Sequence, residues 1–89
     1  MIIVSRDAIN HSSSVVIVVP VTDLANCARI YPSQVVLRKG AGGLSIDSVA
    51  LCEQVRAITK NRLGGHLGRL DSKSVAIIGE KLKIALDLD

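Results

Sequence analysis

Aromatic side chains are nearly absent from this sequence of 89 residues, which contains no Trp, no Phe and a single Tyr. Hydrophobic residues nevertheless make up 48% of the chain, so the core has to be built from Val, Ile, Leu and Ala. A domain of this size buries only about two-thirds of the surface that its unfolded chain exposes. The surplus of aliphatic residues therefore favours self-association, most simply as a twofold homodimer.

Motifs for metals, cofactors and membranes are also lacking. Cys27 and Cys52 have neither metal-binding nor disulfide spacing, which favours two reduced thiols in a cytoplasmic protein. His11 and His66 stand alone, so we predict no metal site and no cofactor. The glycine-rich segment 39–43 lacks the Lys-Ser/Thr of a phosphate loop and predicts a hairpin turn. No signal peptide and no bilayer-spanning apolar run is visible, so we expect no membrane partner.

Positive charge is concentrated in the middle of the chain. Between Arg29 and Lys73 lie eight basic residues and three acidic ones, whereas the whole chain carries a net charge of +3. Such a basic segment favours a polyanionic partner such as RNA or an acidic peptide. Ordinary solvated side chains on strand edges would explain the charge equally well.

Two runs of strand-forming residues carry most of the information. Val15–Thr22 reads VVIVVPVT, and it predicts a buried strand over Val15–Val21 with an edge or bulge at Pro20. The second run predicts a strand over Ser45–Ile58, with an edge or bulge at Glu53.

Alternation along the second strand would direct a set of side chains to one face, namely Ala50, Cys52, Gln54 and Arg56. An arginine in a partly buried strand needs an anion to face. A strand ending on Thr22 beside a strand carrying Gln54 and Arg56 therefore indicates a polar site.

The remaining pattern predicts further short strands and turns. They are a strand over Met1–Val4, a polar segment Ser5–Ser14 with a helical turn at Arg6–Ile9, an irregular loop Asp23–Ile30, a strand Ser33–Leu37, a turn region Lys60–Gly65 and a short closing strand His66–Leu70. We expect one domain over residues 1–89, a small β-barrel capped by a C-terminal helix.

The predicted C-terminal helix has a clear start and an apolar stripe. Asp71 is a good N-cap, and Leu70 is positioned to pack against Val75 as a hydrophobic staple. Gly79 inside the helix costs about 1 kcal/mol relative to Ala unless close packing requires it. The stripe predicts a core or dimer face, formed by Val75, Ile78, Leu82 and Ala85.

Taken in order, these segments resemble the MazF/PemK family of toxin endoribonucleases. The resemblance rests on Ile2–Asn10, Val15–Thr22, Tyr31-Pro32 ahead of QVVL, Asp47–Ile58, Leu67–Leu70, the capped helix and the ALDLD tail. It implies a mainly β fold with a C-terminal helix, an SH3-like small barrel of the MazF/CcdB type. It also implies a homodimer that pairs with a cognate antitoxin in a type II toxin–antitoxin system and cleaves single-stranded RNA, such as mRNA, without a metal.

The resemblance also implies a site. In the family the 2′-hydroxyl of the RNA attacks the neighbouring phosphate, and an arginine and a threonine carry the chemistry. The threonine maps onto Thr22, whose hydroxyl would hydrogen-bond the phosphate as charge develops. The residues that we expect to bind RNA are Gln54, Arg56, Asp23, Arg29 and Asn10.

One part of the family pattern has no counterpart in this sequence. Family members carry a further strand, a loop and an Arg-Pro ahead of the strand with which this chain begins, which a late start codon, an evolutionary shortening or a cut chain would explain. Loss of that arginine predicts cleavage slowed by about 10²–10³-fold, unless Arg6, Arg29 or Arg56 substitutes. The alternative is a non-catalytic protein of this fold that dimerises and binds RNA or an antitoxin.

Overall fold

Six short strands and two helices are present in the computed structural model, which describes residues 1–64 and 68–88. The strands are β1 (Ile2–Ile3), β2 (Val15–Val19), β3 (Val21–Asp23), β4 (Gln34–Leu37), β5 (Ser48–Leu51) and β6 (Arg56–Thr59). The helices are α1 (Asp7–Ser12) and α2 (Ser72–Leu86). The strands form two antiparallel sheets, with the orders β1-β2-β6 and β3-β5-β4.

The first strand-forming run is divided at Pro20. The prediction of one strand over Val15–Val21 is wrong, because β2 ends at Val19 and β3 begins at Val21 in the other sheet. Proline has no N–H to donate to a ladder and therefore interrupts the pairing. Its carbonyl still accepts a hydrogen bond from the backbone N–H of Leu51, at 2.9 Å. Pro20 thus marks a corner at which the chain changes sheets.

The second run is divided at the same corner, so the prediction of one strand over Ser45–Ile58 is also wrong. Val18 pairs with Arg56 and Val21 pairs with Ala50. The two pairs are therefore three residues apart on the first run, from Val18 to Val21, and six residues apart on the second run, from Ala50 to Arg56. The additional residues form a 3₁₀ turn, Cys52–Gln54, which we call the corner turn.

The corner turn changes where two predicted site residues lie. Gln54 ends the turn and Arg56 begins β6, so they do not share one face of a continuous strand. Both residues are exposed, which corrects the expectation that Arg56 is partly buried. The interruption itself falls at Glu53, where the sequence predicted an edge or bulge.

The core is aliphatic, as the composition predicted, and consists of two clusters. One contains Val16, Val18 and Ile58. The other contains Val19, Val35, Leu37, Ala50, Cys52 and Ile78. Burial raises the pKa of the Cys52 thiol, the carboxylate of Glu53 raises it further, and Lys81 opposes them. The thiol therefore stays protonated and packs as a small apolar group.

Helix α2 begins as predicted. The Asp71 side chain accepts a hydrogen bond from the backbone N–H of Ser74 at 2.8 Å, and hydrogen bonding to Ser74 lowers the pKa of this exposed carboxyl. Ile78 is buried with 2% exposure, and the helix packs against β4 and the corner turn. Val75 is 55% exposed, so it does not belong to the core of this chain, and its place in a dimer face stays a prediction.

The other predicted elements agree in part. Strands β1 and β4 fall within Met1–Val4 and Ser33–Leu37. Helix α1 replaces the single turn expected at Arg6–Ile9, and a 3₁₀ turn, Leu24–Asn26, lies in the predicted loop Asp23–Ile30. β4 and β5 form the expected hairpin, and a 3₁₀ turn at Lys60–Arg62 follows β6.

The predicted barrel is open among the described residues, and the described part of its predicted last strand is not a strand. Among the described residues the two sheets share no ladder. Of the predicted closing strand His66–Leu70, positions 66–67 lie outside the described residues and positions 68–70 are not in a strand. The fold class, mainly β with a C-terminal helix, is nevertheless the predicted one.

We predict opposite effects of alanine at two glycines. A Cβ at Gly79 in α2 would meet no atom within 4 Å, whereas a Cβ at Gly68 would lie 2.9 Å from the carbonyl oxygen of Gly42. Gly79→Ala should therefore stabilise the protein by up to about 1 kcal/mol, because alanine loses less entropy in a helix. Gly68→Ala should destabilise it.

The free energy of unfolding, measured by urea titration, tests both substitutions. Gly64→Ala is the control, because a Cβ there also meets nothing within 4 Å but lies outside a helix. A destabilising Gly79→Ala would show that the helix surface at this position needs glycine.

Candidate functional site

The candidate catalytic residue Thr22 lies in a paired strand. It is half-buried in the middle of β3 and pairs with Val49 of β5. Thr22 follows Pro20 by two residues, and Arg56 pairs with Val18, which precedes Pro20 by two. Thr22 and Arg56 therefore lie in different sheets, one on each side of the corner. Thr22 and the pairing partner of Arg56 are each two residues from Pro20.

A pocket of about 520 Å³ lies next to the start of β6. It is lined by Met1, Arg56, Ala57, Ile58 and Arg62. The ion pairs among the described residues are Arg38–Asp47 and Lys83–Glu80, so no described carboxylate neutralises either arginine of the pocket. Two arginines lining one pocket are of the residue type suited to a phosphate-like anion.

Sequence reasoning did not select Arg62 as a site residue. It ends the 3₁₀ turn Lys60–Arg62 directly after β6, and only this turn returns its side chain to the pocket that Arg56 lines. Its place in the basic middle of the chain was the one available signal.

Gln54 lies on a surface that is held by a hydrogen-bond cluster. The neighbouring carboxylate of Glu53 accepts hydrogen bonds from Ser33 Oγ at 3.1 Å and from Gln34 Nε2 at 3.0 Å. These bonds tie the corner turn to Ser33 and to Gln34, the first residue of β4. Gln54 is thus presented at a fixed position two residues before Arg56.

Asn10 makes local hydrogen bonds that hold α1 against the sheet. Its Nδ2 donates to the Ser5 carbonyl at 3.2 Å, and its Oδ1 accepts from Ser5 Oγ. Ser5 Oγ in turn accepts from the backbone N–H of Ile17 in β2 at 3.2 Å. We call these contacts the Asn10 latch. They give Asn10 a structural role, and its contact with RNA stays a prediction.

Asp23 and Arg29 also have local partners. Asp23 Oδ1 accepts from the backbone N–H of Ala25 at 2.8 Å and caps the 3₁₀ turn that follows β3. The Arg29 guanidinium lies 5.2 Å from the centre of the Tyr31 ring. RNA binding by either residue stays a prediction.

The larger cavity in the described part of the chain, of about 610 Å³, contains none of the predicted site residues. Its walls are mainly aliphatic, including Ile2, Ile3, Leu37, Leu44 and Val75. Among the described residues of this lining Arg69 is the one basic side chain, whereas two arginines line the smaller pocket. The smaller arginine pocket is therefore the better candidate despite its size.

Residues 1–64 and 68–88 show the features of neither a metal site nor a membrane span. No three His, Cys, Asp or Glu side chains come together there as a metal site would require. No helix in that part is long and apolar enough to span a bilayer.

A small open β fold with an unneutralised arginine pocket defines a basic domain suited to a polyanion. Residues 1–86 match the family model described as PemK-like, MazF-like toxin of type II toxin–antitoxin system. The chain is 39% identical over 92 residues to Endoribonuclease MazF9 of Mycobacterium tuberculosis, covering 98% of this chain and 76% of that protein. The chain therefore belongs to the PemK-like, MazF-like toxin family.

Solved structures agree with this assignment. The Mycobacterium tuberculosis toxin MazF-mt6 superposes with a TM-score of 0.86 and 26% identity, covering 99% of this chain and 85% of that one. An endoribonuclease in complex with its cognate antitoxin, from a mycobacterial species, superposes with a TM-score of 0.83 and 24% identity, covering 98% and 79%. The fold of this chain is thus the fold of MazF toxins.

We predict that Asn10→Ala lowers the free energy of unfolding by about 1–3 kcal/mol, because it leaves the half-buried groups of Ser5 without partners. Asn26→Ala is the control, since Asn26 is exposed in a 3₁₀ turn. Urea unfolding of both variants measures the difference. Equal stabilities of the two variants would mean that the Asn10 latch does not hold α1.

Proposed function

We propose that this chain is the toxin component of a type II toxin–antitoxin system and cleaves single-stranded RNA, such as mRNA, at short sequences. Membership of the toxin family and a relative named as an endoribonuclease support this proposal. The observation that carries it is the arrangement at the Pro20 corner, where Thr22 and the arginine pocket lie on the two sides.

In the proposed reaction the RNA supplies its own nucleophile. The 2′-oxygen forms a bond to the adjacent phosphorus, and the bond from phosphorus to the 5′-oxygen breaks. The 2′-hydroxyl gives up its proton and the leaving 5′-oxygen takes one up, so the products are a cyclic phosphate and a 5′-hydroxyl end and no water is consumed. The Thr22 hydroxyl donates a hydrogen bond to a phosphate oxygen as negative charge builds on it.

The guanidinium groups of Arg56 and Arg62 have a complementary role in this proposal. Their positive charges hold the phosphate and oppose the charge that develops during the displacement. Gln54 contacts the RNA beside the pocket, and Arg29 contributes charge further along the chain. Asn10 and Asp23, which the sequence also indicated, act mainly by holding α1 and the turn after β3.

We further propose that the single domain of residues 1–89 works as a homodimer in the cytoplasm and is held inactive by a cognate antitoxin. Apolar side chains that remain exposed on α2 support association, because such a surface is stabilised by covering it. They include Ile77, Ile84 and Leu86. The antitoxin in the complex of the mycobacterial endoribonuclease supports a partner of that class.

We predict that Thr22→Ala reduces the rate of RNA cleavage by about 10²–10³-fold, because one preorganised donor to the transition state is lost. The assay uses a long single-stranded RNA with a chelator present. Thr59→Ala is the matched control, because Thr59 is the other threonine of the chain and pairs with Val15 at the far end of β2. The control should cleave like the unmodified protein.

A folded, unmodified protein that binds RNA but does not cleave it would contradict the enzymatic proposal. That result would favour the non-catalytic alternative of the same fold. Equal cleavage by Thr22→Ala and Thr59→Ala would assign the chemistry to another residue.

We predict that Arg56→Ala and Arg62→Ala each weaken RNA binding and lower the slope of log affinity against log salt by about 1, as expected when one phosphate contact is removed. Arg38→Ala is the control, because Arg38 pairs with Asp47 and does not line the pocket. Fluorescence anisotropy of a labelled RNA at several salt concentrations gives the slopes. An unchanged slope for both pocket variants would exclude the pocket as a phosphate site.

A further inference from the structure

The single aromatic residue of the chain, Tyr31, lies on the surface with 51% of its area exposed. Exposure of one apolar side chain is common and indicates nothing by itself. What distinguishes Tyr31 is that its backbone is fixed and that a cation is stacked on its ring. Both features are found next to the surface assigned to RNA above.

Gln34 fixes the backbone of Tyr31 from two directions. The Tyr31 N–H donates to Gln34 Oε1 at 3.1 Å, and the Gln34 N–H donates to the Tyr31 carbonyl at 3.0 Å. Gln34 Nε2 then donates to Glu53 in the corner turn at 3.0 Å. The tyrosine is therefore anchored to the same turn that carries Gln54.

Arg29 completes the arrangement. Its guanidinium lies 5.2 Å from the ring centre, the geometry of a cation–π contact. No described carboxylate forms an ion pair with Arg29, since the ion pairs present are Arg38–Asp47 and Lys83–Glu80. The ring is thus oriented by a cation whose charge is not neutralised by the described part of the chain.

Fixed exposed rings next to unneutralised cations are how proteins hold unpaired bases. A base stacks on the ring through its π-face, while the cation contacts the adjoining phosphate. An anchored ring loses little conformational entropy on binding, which favours affinity. Glu53 is the acidic group of this region, and both of its carboxylate oxygens already accept hydrogen bonds.

We propose that Tyr31 is a base-stacking residue for single-stranded RNA, with Arg29 contacting the phosphate beside the stacked base. This inference rests on the proposed function and adds a binding position outside the arginine pocket. The RNA then runs from the pocket of Arg56 along Gln54 to the ring of Tyr31. Tyr31 contributes to the affinity for RNA, and not to the bond-breaking step.

The composition of the chain gives a direct test. With one Tyr and no Trp, the intrinsic fluorescence of the protein comes from Tyr31 alone. The probes are a short 2′-O-methyl RNA of mixed sequence, which lacks the attacking hydroxyl, and an abasic oligonucleotide with the same backbone and length. A free tyrosine derivative in the same solutions corrects for light absorbed by the bases.

The base-bearing probe should quench the tyrosine emission on binding, and the abasic probe should not. Tyr31→Ala should weaken binding of the base-bearing probe by about fivefold to 150-fold, the range expected for one stacked base. Tyr31→Phe should restore the affinity, because the ring face is retained. Ile30→Ala is the matched control, since the neighbouring Ile30 is 40% exposed and should bind as the unmodified protein does.

Two results would overturn the inference. One is equal affinity of Tyr31→Ala and the unmodified protein for the base-bearing probe, and the other is equal quenching by the two probes. In either case, cleavage of ordinary RNA by the unmodified protein would leave the proposed function standing. Absence of both binding and cleavage by the folded protein would contradict the proposed function together with this inference.

Discussion

The hydrogen bond from the Leu51 N–H to the Pro20 carbonyl holds together the point at which both main strands change direction. Proline has no N–H to donate to the ladder, so the pairing between the two strand-forming runs has to be interrupted here. The Pro20 carbonyl still accepts a hydrogen bond, and it keeps the two runs in contact across the interruption. β2 and β6 then continue in one sheet, and β3 and β5 continue in the other.

The three additional residues of the second run form the corner turn, Cys52–Gln54, and they convert this interruption into the proposed functional surface. Cys52 turns inward and joins the cluster that contains Ile78 of α2. Glu53 and Gln54 turn outward, and Glu53 accepts hydrogen bonds from residues at the start of β4. Packing of the helix and presentation of the polar surface therefore depend on the same short turn.

The proposed site combines a hydroxyl held in a strand with exposed cations. Thr22 lies in a paired strand, where a preorganised hydroxyl loses little entropy when it meets a phosphate. The arginines are exposed and unpaired with described carboxylates, which suits attraction of a charged and flexible substrate. An aliphatic core supports this arrangement without burying the one aromatic residue, which stays 51% exposed.

The sequence by itself determined the aliphatic core, the helix capped by Asp71, the β4–β5 hairpin and the family, because these follow from composition, local spacing and residue order. Only the tertiary structure decided that each long run forms two strands, since alternation along a chain is the same on both sides of a corner. It also decided the hydrogen-bond partners of Asn10 and Asp23, the exposure of Val75 and the position of Arg62 in the pocket that Arg56 lines. Such contacts join residues from different elements, and no local pattern encodes them.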